Sequence, residues 1–500
     1  MAPAATASQP YTPRDPGNSV IAKVLEYHLD DFLEGVHLNG GDGDPNWSVP
    51  TFVERELRAI MDCGDYTKGF VLLKCATCRQ GQVVPFSCKG RLCPSCSARR
   101  MSETAAFLVD RVLSPACRYR QWVLTFPWAL RRALAFDSGL ANAVFALVGR
   151  TILGWVRRCA EDDGVHGQPA GILQVQRAAD AAMLNVHLHL LVSEGVFTRS
   201  APDGEVRVHR TRVPQAADIA DLVAELEVRV GRLVERRARD VADCDEDAPP
   251  DARRLLLQCA ASPAVRRRDE QAQAEGAAAT NARPRHAKSA LCVTGEEGFN
   301  LHAGVVIKAG DKPGLERMCR YLGRPPVAES RLQMLDDGKI AVDLKRAWAG
   351  DVVRQEFEPE DFIARLAAIV PPPGFHMLRY LGAIAPHAKI RAHVVPRPRP
   401  PDPGKDGKDG KDPVPTGPLA PCRPARMAWA DLLARVFAVD VFKCSCGGRL
   451  HVVATIQDPT VIQAVAASLM ASGRLAPRRG GTGPPGRRGR FRFTDVDADC

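Results

Sequence analysis

Three sets of side chains in this 500-residue sequence have the types and spacing for chemistry. The first is a run of cysteines. Cys75-x2-Cys78 and Cys93-x2-Cys96 stand fourteen residues apart. Each C-x2-C turn offers two thiolates, and two such turns close a tetrahedron around Zn2+ with Zn–S near ~2.3 Å. A tetrathiolate site has no open coordination position, so this ion is expected to organise the fold and not to react. Cys63 and Cys88 are left over and read as small buried hydrophobes or exchangeable thiols. Lys74, Arg79, Lys89, Arg91, Arg99 and Arg100 surround the ligands. They form a cationic surface suited to the phosphates of DNA, although a solvated basic rim accounts for the same run.

The second set lies on one stretch, Leu184–Val192, with the sequence LNVHLHLLV. It alternates with period two. Leu184, Val186, Leu188, Leu190 and Val192 make one apolar face, and His187 and His189 project together from the other, ~7 Å apart at Cα. Two imidazoles so placed can share a divalent cation and leave positions open for phosphate oxygens. Gln176, on the preceding strand, and His302, on a later one, are the candidates for a third ligand.

The third set is a tyrosine among arginines. Tyr321 is one of only six tyrosines, in GDKPGLERMCRYLGRPP. Pro313 marks a first helical turn, and Gly323 with Pro325-Pro326 marks its end. Leu315, Met318, Cys319 and Leu322 make the buried stripe, which leaves Tyr321 on its rim, about 110° from the stripe's centre at ~100° per residue. Arg317 lies one turn before it, and Arg320 and Arg324 flank it. A phenol with a pKa near ~10 needs neighbouring cations and a polarised phosphate to attack a phosphodiester.

Elements that position these groups can be read along the chain. Helices are expected over 21–33, 51–63, 130–158, 215–240, 313–322 and 358–370, and strands over 120–126, 171–176, 184–192, 299–307 and 337–349. Residues 1–18 read as a loose arm. Residues 241–295 drift to Ala, Arg, Asp, Pro and Gln and read as an inserted segment. Residues 396–426, with RPRPPDP and three GKD repeats, read as a linker, and 473–500 as a basic tail. Lys+Arg (68) exceed Asp+Glu (58), a net +10 that suits an anionic partner. No apolar run of ~18 residues is uninterrupted, and the first residues lack a signal-peptide pattern, so neither membrane nor export is expected. Sixteen cysteines without an export signal fit reduced thiols holding metal.

In this order, the thiol cluster, the His-x-His strand and the helical tyrosine resemble the HUH-type transposases of rolling-circle insertion sequences, with their N-terminal zinc-binding domain. The segments that carry the resemblance are CATCRQGQVVPFSCKGRLCPSCSARR, QRAADAAMLNVHLHLLVSEGVF, LHAGVVIKAGDKPGLERMCRYLGRPPVAESRL and HMLRYLGAIAPHAKIRAHVVP. The resemblance implies an α+β fold: a ferredoxin-like nuclease core, an antiparallel sheet with helices, beside a small zinc-binding domain and flexible linkers. It implies a zinc-binding, DNA-binding unit at 19–108, a nuclease domain at 117–335, an accessory segment at 336–395 and a small C-terminal unit at 427–472. His187 and His189 would hold Mg2+ or Mn2+, with Tyr321 the nucleophile and Arg317 its helper. The tyrosine would cleave single-stranded or hairpin DNA at element ends, keeping a 5′-phosphotyrosine, in the cytoplasm of a bacterium near its nucleoid.

The chain departs from its relatives twice. Arg317 stands where some carry a second tyrosine, so a one-tyrosine scheme is expected. In VDVFKCSCGGRLHVVATI, Cys444 and Cys446 are one residue apart and lack an adjacent partner pair, so that site is expected to be without metal. The competing readings are a replication initiator or relaxase with the same chemistry, a non-catalytic zinc-dependent DNA-binding protein, and a zinc-stabilised protein-interaction module.

Overall fold

The computed structural model describes residues 9–10, 15–39, 48–199, 205–242, 291–348, 352–396, 429–437 and 439–471. Most of the expected arm, most of the 241–295 insertion, the 396–426 linker beyond its first residue and the 473–500 tail lie outside the described residues.

The chain opens with helices α1 (Val20–Asn39) and α2 (Thr51–Met61), the hairpin β1 (Phe70–Cys75) and β2 (Gly81–Pro85), and helix α3 (Pro94–Arg111). A central sheet follows, built from β3 (Tyr119–Thr125), β4 (Ala170–Ala178), β5 (Leu184–Ser193), β6 (Cys292–Thr294), β7 (Asn300–Ile307) and β8 (Leu378–Gly382). Its spatial order is β8-β4-β5-β3-β7-β6, and every pairing is antiparallel. The histidine strand β5 is therefore interior. The segment expected to be accessory supplies an edge of this same sheet, because β8 pairs with β4.

The alternation of β5 sets the layers. Val186, Leu188, Leu190 and Val192 are fully buried and face the long helix α5 (Ser138–Asp162) through Val144, Phe145, Val148 and Ile152. Burial of each such side chain stabilises by about 1.5–3 kcal/mol. Trp122 of β3 stands edge-on to Trp155 of α5, with ring centroids 5.7 Å apart. The opposite face of the sheet is covered by α3 and by α7 (Lys312–Leu322), through Leu108, Val109, Leu315, Cys319 and Leu322. The result is helices, sheet, helices, an α+β arrangement around antiparallel strands.

One expected helix is two. The 130–158 stretch is divided into α4 (Trp128–Phe136) and α5 by Asp137, whose extended backbone breaks the run. Its carboxylate accepts the Leu140 N–H at 2.9 Å, and so caps the second helix. The long charged helix α6 (Ala216–Ala242) and the three-stranded sheet of 332–334, 340–348 and 352–357 complete this part. Helix α8 (Pro359–Ile369) packs into the main core. Arg177, fully enclosed, donates to the carbonyl oxygens of Ala135 at 2.7 Å and Ile369 at 3.1 Å. It thus caps the C-terminal ends of both α4 and α8, where the helix dipole favours a cation. Burial pulls its pKa down to about 9.

Helix α5 is long and apolar enough, by length and composition, to cross a membrane. Yet 61% of its apolar window is buried against the sheet, as expected of a core helix.

The C-terminal segment does not stand apart. After α9 (Trp429–Phe437), the strand β9 (Leu450–Ile456) pairs antiparallel with β1, with Leu450 opposite Cys75. The N-terminal hairpin and the last strand among the described residues make one sheet, β9-β1-β2. Helix α10 (Pro459–Ala471) follows.

Candidate active site and thiol centres

Strand register brings the candidate residues into rows on the polar face of the sheet. Thr125, His187 and Gln176 lie side by side, and Val123, His189 and Gln174 form the next row. The rings of His187 and His189 are 5.1 Å apart at their centroids. Helix α7 crosses this face and sets the Tyr321 ring edge-on to His189, with centroids 5.6 Å apart. Asp311 starts that helix, accepting the Gly314 N–H at 2.8 Å, and Gly323 ends it. Tyr321 is 43% exposed, which leaves its hydroxyl open to a partner.

Each imidazole is held by one nitrogen. The Nδ1 of His187 lies 2.9 Å from the Asn185 carbonyl oxygen, so it carries the proton and Nε2 keeps the lone pair. The Nδ1 of His189 lies 2.9 Å from the side-chain amide of Gln121. Its Nε2 is buried and has no hydrogen-bond partner among the described residues. Burial pulls the pKa of His187 down to about 4, and Arg324, Arg131 and Lys345 press the same way. Burial, His187 and Arg324 bring His189 to about 3. Both rings are therefore neutral near pH 7, the state that ligates a metal. An orphaned buried nitrogen beside a second imidazole fits the divalent cation that this type of strand implies. For His189 to ligate through Nε2, Gln121 must present its carboxamide oxygen to Nδ1–H.

The other candidates fall in different places. Gln176 donates to the Leu322 carbonyl at 2.9 Å and accepts from Arg324 at 3.2 Å. Its carboxamide ties β4 to the end of the tyrosine helix, and its oxygen is committed to Arg324. His302 is opposite Val123, on the same face but two strands from His189. Arg317 is exposed. The guanidinium at the tyrosine is instead Arg324, with Cζ 4.6 Å from the ring centroid. Gln121 and Lys345 escaped the sequence reading. A polar residue alternating with Tyr119 and Val123 in β3 was the signal for Gln121.

A cavity of about 340 Å3 opens beside the site, lined by Arg91, Arg100, Gln176, Arg324 and Lys345. Of the six cations expected to meet DNA, only Arg91 and Arg100 line it. Lys89 and Arg99 line another hollow, and Lys74 and Arg79 lie on the hairpin.

The cysteines are not grouped as their spacing suggested. Cys75 and Cys78 do not join Cys93 and Cys96. One cluster is Cys63, Cys88, Cys93 and Cys96, the other Cys75, Cys78, Cys444 and Cys446, each with its four sulfurs within 4.8 Å of one another. The hairpin explains the correction. It carries Cys75 and Cys78 to one end, where β9 delivers the C-terminal pair. Its far strand leads to Cys88, beside Cys63 at the end of α2 and the first turn of α3. Cys63 and Cys88, the supposed surplus, are thus members of a centre. In it Cys63 lies 3.6 Å from both Cys93 and Cys96, and Cys88 lies 3.5 Å from Cys96. Hydrogen bonding with Cys63 raises the pKa of Cys88 and Cys93 and lowers that of Cys96. Zn2+ removes that conflict by stabilising all four thiolates.

This first centre anchors the start of α3, the helix that packs beside α7. A further tie comes from the C-terminal segment. Arg435 of α9 bridges Asp110 of α3 and Glu316 of α7, the latter at 2.9 Å.

Comparison with known protein families gives two matches. The family described as “Putative transposase” matches residues 172–391, and “Transposase zinc-binding domain” matches residues 43–126. No curated protein and no solved structure matches. The first span holds the histidine strand and the tyrosine helix, and the second holds the whole first thiol centre, a structural zinc site. A transposase acts on DNA, in keeping with the basic cavity. With its zinc-binding domain preceding its transposase domain, this chain belongs to the IS91-type transposases.

Proposed function

We propose that this transposase cuts and rejoins one DNA strand through Tyr321, in rolling-circle transposition. The observation that carries the reading is the edge-on approach of Tyr321 to the neutral pair His187 and His189, across a large separation in sequence. The central sheet would then serve as an HUH nuclease core of ferredoxin-like type, with residues 19–108 gripping DNA.

The Nε2 atoms of His187 and His189 would hold Mg2+ or Mn2+, which when bound polarises the scissile phosphate as a Lewis acid. The Oη of Tyr321 gives its proton to solvent and attacks phosphorus in line. The new bond is tyrosyl O–P, and the bond from phosphorus to the 3′-oxygen of the preceding nucleotide breaks. That oxygen leaves as a 3′-hydroxyl after taking a proton, and the 5′-phosphate stays on the tyrosine. Arg324, over the tyrosine ring, offsets charge that develops on the phosphoryl oxygens. Gln176 positions Arg324 and the end of α7. Storage of the phosphodiester on the enzyme lets a later 3′-hydroxyl reverse the step without ATP. One tyrosine suffices, since Arg317 occupies the position one turn earlier. A chain of this kind would work in the bacterial cytoplasm, at element ends in single-stranded or hairpin form.

The test is a labelled single-stranded oligonucleotide bearing an element end. With Mn2+ or Mg2+ it should give a covalent protein–DNA adduct that Tyr321→Phe abolishes. An adduct on the phenylalanine variant overturns the nucleophile. Absence of metal-dependent nicking by the parent chain favours the non-catalytic binder.

A further inference from the structure

We propose that Cys75, Cys78, Cys444 and Cys446 form a second Zn2+ site, a clasp that fastens the C-terminal segment to the N-terminal zinc-binding domain. The sulfur of Cys75 lies 3.6 Å from that of Cys446, and Cys78 lies 3.7 Å from Cys444. Four sulfurs at ~2.3 Å from a tetrahedral ion are ~3.8 Å apart, so these two separations, with all four sulfurs within 4.8 Å of one another, fit a tetrathiolate site. A disulfide needs ~2.05 Å, and neither pair is that close.

The backbone is built to hold the ion. The N–H groups of Cys78 and Thr77 point at the Cys75 sulfur. The second turn solves the one-residue spacing of Cys444 and Cys446. The Gly447 N–H reaches the Cys444 carbonyl at 2.9 Å, and Gly447 adopts φ +85°, a conformation that favours glycine. The Gly448 N–H points at the Cys446 sulfur from 3.4 Å. A Cβ on Gly448 would meet the Cys75 sulfur at 2.9 Å and Thr77 Oγ1 at 2.4 Å, so only glycine lets the two turns close. Strand pairing fixes the same approach independently, since β9 sets Leu450 opposite Cys75. Soft thiolates in a closed tetrahedron select zinc. The clasp secures the segment whose Arg435 joins α3 to the tyrosine helix.

The full-length chain, purified without chelator, should carry two zinc ions by elemental analysis, and Cys444→Ser/Cys446→Ser one. With Co2+ in place of zinc, the thiolate-to-metal absorption should fall by about half in that double variant. Proteolysis should then cut the variant first between residues 438 and 458, with residues 63–96 still protected. The parent chain supplies a test that needs no variant. Cys78 and Cys446, though exposed, should resist alkylation until a chelator is added. One zinc in the parent chain, iron in place of zinc, an unchanged count in the variant, or immediate alkylation of the metal-loaded chain overturns the clasp.

Discussion

The two faces of the central sheet differ in what they ask of a side chain. The face toward α5 accepts any set of aliphatic residues that fills it, and its return is stability. The face toward α7 leaves a buried imidazole nitrogen without a partner among the described residues, two neutral histidines under a basic rim, and an exposed tyrosine. Such groups cost stability, and their retention side by side is what marks the site. One strand serves both faces, because successive residues of β5 point in opposite directions.

Substitutions should separate the two faces. The largest effect on activity is expected from His187→Ala, which removes one of the two proposed ligands. Loss of a mere supporting group costs ~10–100-fold, so strand cleavage should fall by more than ~100-fold while the melting temperature holds. Parallel loss of melting temperature would place His187 in the core and sink its role. Leu190→Ala, on the other face of the same strand, should cost about 2–5 kcal/mol in denaturant unfolding, with cleavage per folded molecule retained. Gln121→Leu sharpens the contrast. It frees Nδ1 of His189, and calorimetric affinity for Mn2+ should weaken by ~10–100-fold at little cost in stability. An unchanged affinity would exclude Gln121 as the group that orients His189.

The smallest effect is on pH dependence. The folded-state pKa values of His187 and His189, about 4 and about 3, lie below the ordinary value of 6.5. The unfolded chain therefore binds more protons as pH falls from about 6.5 toward about 3. The stability contributed by the neutral pair is fully present above pH 6.5 and is lost as pH drops through that window. Denaturant midpoints should decline accordingly, and less so in His187→Ala/His189→Ala. A double variant with the parent's acid sensitivity would show that other groups titrate there.

How much of this was legible in the sequence depended on the range of the interactions. The His-x-His alternation and the capped tyrosine helix are local patterns, and each folds as read. The break at Asp137 was missed because an aspartate within an apolar-rich run resembles a surface residue until its carboxylate caps the next helix. Tyr321 was rightly placed on a helix rim, yet nothing in its helix says which strand it meets. Arg324 rather than Arg317 reaches its ring, because the chain turns at Gly323 and folds the next residue back over the tyrosine. His302 shows the converse. Its strand was expected, but register puts it two strands from the pair.

The sequence by itself determined four strands of the central sheet, the tyrosine helix, the side on which His187 and His189 project, and the supply of thiols for metal. Periodicity and capping are set within a few residues, so they survive without knowledge of the fold. Only the tertiary structure decided which cysteines share a centre. Spacing pairs thiols along the chain, whereas metal geometry pairs them in space, and the turn after β1 and the turn before β9 bring sulfurs from distant parts of the chain to one point.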